Sequence, residues 1–260
     1  MTTEPREDSF FVGYINALPR PLRGFLLVIA GGLIAGFAGA ALGIAASQDN
    51  PGTGRFQSGL GKQQITGVLQ AEPYPIIRAL PSEDFPEGHT WLLSGLGKRG
   101  VQDAAAKLDG ALVDVEGVII RRGKVDMLRV NRKPGLQESK ATPSERETAL
   151  VRSPPIPLGR WRLAGEICDG KCYVGAMRPG RGLAHKACAN FCLAGGVPPV
   201  FVTPGRVKGY QFFLLADQNG KPLTDRIPDL VGIYIQAEGE IEQIGDLMVF
   251  KIDLASVEVL

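Results

Sequence analysis

Residues 24–46, GFLLVIAGGLIAGFAGAALGIAA, run for 23 positions without a charge. A helix of that length, rising 1.5 Å per residue, spans roughly 35 Å, enough to cross the hydrocarbon core of a bilayer with some tilt. No other stretch narrows the fold as much, because lipid admits only helices and closed barrels. A cleaved signal peptide is the alternative, with Ala45, Ala46 and Ser47 as small residues for cleavage. The apolar segment of a signal peptide is usually about 7–15 residues long, and this one is longer and starts well into the chain. An uncleaved anchor is the expectation. Arg20 and Arg23 precede the span, while Gln48, Asp49 and Asn50 follow it. That bias keeps 1–23 in the cytoplasm and places 51–260 outside it. The simplest setting is a bacterial inner-membrane protein with a periplasmic body. Gly32 and Gly36, then Gly39 and Gly43, lie four apart beside Ala35 and Ala40. Small residues at that spacing let a second helix approach, so the anchor is expected to pack in an inner-membrane complex or on a second copy.

Past a Gly- and Ser-rich tether at 47–62, the chain breaks into short β-rich runs. These are QITGVLQ at 64–70, PIIRAL at 75–80, TWLLSG at 90–95, and then ALVDVEGVIIRR and VDMLRV at 111–122 and 125–130. A helical piece, VQDAAAKL at 101–108, precedes the fourth run. Five strands with a helix before the fourth match the order of an OB-type barrel. Residues 133–160 are polar and Pro-rich and read as a linker between domains.

The second half repeats the first. Gly67 answers Gly165, Leu92-Leu93 answer Leu214-Leu215, Glu116-Gly117 answer Glu238-Gly239, and Gly123 answers Gly245. From Gly67 to Leu93 is 26 residues, but from Gly165 to Leu215 is 50, so the second unit carries about 24 more. The expected architecture is therefore mainly β: one N-terminal transmembrane helix followed by two tandem OB-like barrels, at 63–132 and 161–260. The second carries a short helical insertion over 168–199.

That insertion holds all four cysteines, Cys168, Cys172, Cys188 and Cys192, and one of the two histidines, His185. LAHKACANFCLA at 183–194 reads as a helix ended by Gly195-Gly196, with Pro198-Pro199 forbidding its continuation. His185, Cys188 and Cys192 then fall at i, i+3 and i+7, on one face. Three chemistries fit. An even cysteine count in an oxidising compartment suits two structural disulfides. Thiolates plus imidazole suit zinc, copper(I) or haem, with Cys172, His185, Cys188 and Cys192 as ligands. A redox-active disulfide is the third, although C-x-x-C is missing.

Two resemblances bear on the choice. The spacing C-x3-C-x15-C-x3-C resembles that of twin C-x3-C helical hairpins, which implies the nested pairs Cys168–Cys192 and Cys172–Cys188. Asp169-Gly170 inside the first pair is not helical, so that likeness is one of spacing. Gly165-Glu166-Ile167, Asp169, Cys172, then His185, Cys188-Ala189, Cys192, then Gly196-Val197-Pro198 resemble the signature of short exported bacterial domains, G-E-[IV]-x-D-x-x-C, H-x-x-C-A-x-x-C, G-[IV]-P. The resemblance covers about 35 residues and implies that Cys172, His185, Cys188 and Cys192 act as a unit. Cys168 stands where such domains more often carry an aliphatic residue. The single span and periplasmic barrel also resemble the haem chaperones of cytochrome c maturation, a likeness of architecture that transfers no residue.

A net charge of +2 with no long Lys/Arg run offers nothing to nucleic acid. The chain contains no G-x-S-x-G, Walker loop, dinucleotide fingerprint or H-E-x-x-H, so no catalytic residue is assigned. His89 reads as a solvated strand-start histidine, and Asp114 and Glu116 as outward residues of a strand. Trp161 and Tyr173 flank the insertion as candidate covers. The expected role is an accessory or assembly subunit of an inner-membrane, redox-linked complex, docking through a disulfide-stapled insertion without a cofactor. The alternatives are a metal or haem carrier and a thiol-disulfide oxidoreductase.

Overall fold

The structure is a computed structural model and describes residues 20–47 and 52–260. The expected cytoplasmic lead at 1–19 and the first tether residues at 48–51 lie outside them. The uncharged run forms one helix, α1 (Arg20–Ser47), which begins four residues before the run and tolerates Pro21 in its first turn. It is long and apolar enough to cross a membrane, and none of its residues is buried. The rest of the chain is a second unit, Asn50–Leu260.

Part of the expected tether is stitched to this body. β1 (Arg55–Phe56) pairs with Arg121 and Ile120, and Phe56 packs on a buried cluster. Five strands follow: β2 (Gln63–Gln70), β3 (Ile76–Ala79), β4 (His89–Ser94), β5 (Leu112–Arg122) and β6 (Val125–Val130), with a short helix α2 (Gln102–Ala105) before β5. β2, β3 and β4 form an antiparallel meander, β4 pairs parallel with β6, β6 antiparallel with β5, and β5 antiparallel with β2. The sheet therefore closes into a barrel with no free edge among these five strands. β5 shows the alternation that drives this: Val113, Val115 and Ile119 point inward, while Asp114 and Glu116 are outward as expected.

The stretch read as a linker is structured. β7 (Leu136–Glu138) pairs with β5, and α3 (Glu145–Val151) starts with a capping box in which Ser144 and Glu147 satisfy each other's backbone donors. The buried Arg78 guanidinium donates to the carbonyls of Leu150 and Ser153, fastening this segment to the barrel. The next strand, β8 (Ile156–Asp169), begins before the expected domain start.

β8 through β9 (Pro199–Val207), β10 (Tyr210–Asp217), β11 (Tyr234–Ile244) and β12 (Leu247–Ile252) repeat the first pairing pattern, and β13 (Glu258–Val259) adds to β11. The residues matched in sequence take matching places. Leu92 and Leu93 pair parallel with Met127 and Leu128, as Leu214 and Leu215 do with Val249 and Phe250. Gly123 and Gly245 turn the two closing hairpins at φ 57° and 59°.

β3, β4, β9, β10 and β12 are apolar at successive positions because both of their faces are covered. Ile77 and Leu93 fill the first barrel, and Phe201, Phe213 and Phe250 fill the second. Their neighbours Ile76, Leu92 and Met127, with Val200, Leu214 and Val249, meet in a third core between the sheets. The two barrels share this third core, and no tether separates them.

Candidate metal centre

Five residues separate β2 from β3, whereas 29 separate β8 from β9, a difference of 24. The extra length inferred from the repeat is thus the Cys/His stretch. Its path is set at both ends. After Asp169 the chain makes a helical turn over Cys172–Ala176 that breaks at Gly175, whose φ of 137° excludes most side chains. The turn of Leu183–His185 then leads into α4 (Lys186–Ala194), and Gly196 at φ 91° ends that helix.

Alternation along β8 decides which groups face α4. Leu163 and Ile167 lie with Ala189 and Leu193 in the second barrel's core, and Asp169 is on their side of the strand. Cys168 points the other way, into the core shared by the barrels. There its thiol donates to Oε1 of Glu166 at 3.3 Å, and burial together with that carboxylate pushes its pKa well up. Glu166 also accepts from the amide of Gly182, so this pair holds down the returning loop.

Asp169 is wholly buried and uses both oxygens. Oδ1 accepts from the Cys172 amide at 2.8 Å, and Oδ2 lies 3.0 Å from Nε2 of His185, itself 3% exposed. A carboxylate on Nε2 makes that nitrogen the donor and leaves Nδ1 with the lone pair. Sγ of Cys172 is 4.0 Å from Sγ of Cys192. Ligand atoms of Cys172, His185 and Cys188 lie within 4.8 Å of one another, as do those of Asp169, Cys172 and Cys192. Ligands about 2.3 Å from a tetrahedral ion sit about 3.8 Å apart, so these groups can hold a metal after small movements.

All four cysteines carry free thiols. In this structure neither expected pair, Cys168–Cys192 or Cys172–Cys188, is bonded: Cys168 lies in the core shared by the barrels, while the sulfurs of Cys172 and Cys188 lie within 4.8 Å of each other. Cys172 is common to two close groups, one with His185 and Cys188 and one with Asp169 and Cys192. Cys172 and Cys192 share a sulfur–sulfur hydrogen bond, which with burial pushes Cys172 up and against burial draws Cys192 down.

The first barrel completes the site. Lys98, in the loop after β4, donates through Nζ to Sγ of Cys188 at 2.7 Å and to its carbonyl at 3.2 Å, and the bond to sulfur raises the Lys98 pKa. Lys171 is buried and donates to the carbonyls of Gly95 and Gly97 at 2.6 and 2.7 Å, with burial lowering its pKa. The amide of Gly100 donates to Gly195 at 2.7 Å. A Cβ on Gly195 would stand 1.8 Å from the Lys98 carbonyl, so the two loops touch backbone to backbone. Beside the sulfurs opens a pocket of about 500 Å³ lined by Phe56, Leu96, Lys98, Arg129 and Met177 together with Cys172, Cys188 and Cys192. Lys98, Lys171 and Met177 were not singled out in the sequence. The glycines of GLGKRG at 95–100 were the available sign that another backbone approaches there.

The remaining candidates are structural. His89 is buried, not solvated: Nε2 lies 3.0 Å from Asp126 and Nδ1 2.5 Å from Asp246, across the barrel boundary, with Phe85 stacked on the ring. Burial opposes its charge, but the two carboxylates outweigh it and raise its pKa to about 9. Tyr173 is buried in the shared core beneath Arg122, and Trp161 packs on the second barrel, so neither is among the residues lining the cysteine pocket. No protein family, curated protein or solved structure matches this chain.

Proposed function

We propose that this protein is a membrane-anchored metal carrier in which Cys172, His185, Cys188 and Cys192 bind one thiophilic ion, zinc or copper(I). The observation that carries the reading is the buried Asp169, which orients the imidazole of His185 and the amide of Cys172 beside three thiols. Metal-bound histidines are commonly oriented this way by a carboxylate on the far nitrogen. A stapled docking surface gains less support, since Cys168 faces another core and leaves an odd number of thiols in the cluster. A redox disulfide would use Cys172 and Cys192, the closest pair measured, but their C-x19-C spacing is not that of a dithiol active site. Lys98 brings a positive charge to a group that must be a thiolate to bind metal. A carrier fits better than a purely structural site because Cys188 is partly exposed and borders the pocket.

The setting we infer is the bacterial inner membrane, with α1 as the anchor, Arg20 and Arg23 on the cytoplasmic side and the body in the periplasm. The strand order and matched pairings support two tandem OB-like barrels from a duplicated unit. Such a protein would serve an inner-membrane redox complex as an accessory or assembly factor, with Gly32, Gly36, Gly39 and Gly43 as the helix-packing face. The test is metal content and thiol count of the detergent-solubilised full chain purified without oxygen. One bound ion per chain, lost in His185→Ala and Cys192→Ser but kept in Cys168→Ala, is the expected result. A metal-free chain whose thiols have paired would overturn the proposal.

A further inference from the structure

Within the metal reading above, on which this inference rests, the site has one donor more than a zinc centre uses. Sδ of Met177 lies 3.5 Å from Sγ of Cys188, about the separation of two ligands on a common ion. Its side chain is 45% exposed and lines the same pocket as the three sulfurs. One carboxylate, Asp169, lies within 4.8 Å of the Cys172 and Cys192 sulfurs. Both of its oxygens are engaged, one on Cys172 and one on His185. What remains is three thiols, one imidazole nitrogen and one thioether.

That donor set selects among metals. Zinc is held by thiolate, imidazole and carboxylate, whereas a thioether is a soft, neutral sulfur that suits copper(I). The arrangement is also graded in depth. Cys172, Cys192 and His185 are buried, while Cys188 and Met177 stand toward the pocket. An ion entering there meets the two outer sulfurs first and can leave by exchanging them for a partner's donors while the inner set still holds it.

We propose that the Met177 thioether is a copper(I) ligand at the mouth of the Cys172–His185–Cys188–Cys192 site, and that the ion this protein carries is copper(I). The bland alternative is a methionine that merely covers apolar surface, and the two differ in what a leucine of similar shape does. The experiment titrates the reduced, detergent-solubilised full chain without oxygen, using copper(I) against the chelator bicinchoninate and, separately, zinc ion. Met177→Leu is expected to weaken copper(I) binding about tenfold or more and leave zinc affinity within about twofold. Copper K-edge absorption should lose one sulfur neighbour in the variant. Unchanged copper(I) affinity and sulfur count in Met177→Leu, with the ion still bound, overturns the role of Met177 while the four-residue site survives. Tighter binding of zinc than of copper(I) by the parent chain overturns the choice of metal. If neither ion binds, the site reading itself falls, and this inference with it.

Discussion

The two barrels share one strand order, yet they spend their first connection differently. In the first, five residues join β2 to β3; in the second, 29 residues join β8 to β9 and carry three of the four cysteines. A closed barrel fixes its strands by ladder and core, so a connection can grow without disturbing either. The contrast also shows that the plain barrel is not idle. Its loop after β4 supplies Lys98 to Cys188 and receives Lys171 of the insertion, so the elaborated loop is held by its unelaborated twin.

If the shared core couples the barrels, damage on either side of the boundary must be felt in both. Leu92→Ala, in the shared core, and Leu93→Ala, in the first barrel alone, should each cost about 2–5 kcal/mol. In urea, both should lower the midpoint of a single transition seen by the tryptophans and by far-UV dichroism. Two separated transitions in the parent protein would break the comparison.

The His89 bridge sharpens the same boundary by pH. Its folded pKa, about 9, lies above the unfolded value near 6.5, so its contribution is fully present below about pH 6.5 and is lost as pH rises through 9. At most this amounts to about 3 kcal/mol. Burial raises Asp126 and Asp246, but the bonds to His89, together with Arg121 at Asp126 and Thr90 at Asp246, outweigh it and hold both below the usual carboxylate range, so they report the same contacts from the acid side. Thermal midpoints should therefore decline between about pH 6.5 and 9 in the parent, and in His89→Gln they should start lower and lose that slope.

The smallest of these effects concerns the clasp. Gly195→Ala sets a methyl against the Lys98 carbonyl and should cost about 2 kcal/mol and weaken metal binding, while Gly205→Ala, with nothing within 4 Å, should change neither. Equal behaviour of the two variants would detach the first barrel from the site.

Much of this was legible residue by residue. The runs at 64–70, 75–80, 90–95, 111–122 and 125–130 became strands within a residue or two, and the repeat put Leu214-Leu215 in the place of Leu92-Leu93 and predicted the size of the insertion. Cys188 and Cys192 lie on α4 as the spacing predicted, whereas His185 belongs to the turn that precedes it. Other features did not. The Ser144/Glu147 capping box was overlooked beneath a Pro-rich composition. The unalternating apolar strands PIIRAL and TWLLSG already signalled two covered faces, although the separation into domains hid it. His89 was taken for a solvated residue because its partners lie 37 and 157 positions away.

The division follows the range of the forces. Hydrophobic alternation, an uncharged run of membrane length and glycine at tight turns act over a few residues, so the amino-acid string alone sufficed for the first barrel's strands, the long apolar helix and the end of α4. Which face of β8 met α4, which thiol was left out, and that Lys98 and Met177 stand beside Cys188 depended on surfaces brought together from distant parts of the chain. Cys168 and Asp169 are adjacent in sequence, and a pleat sends one into the shared core and the other under the candidate metal centre.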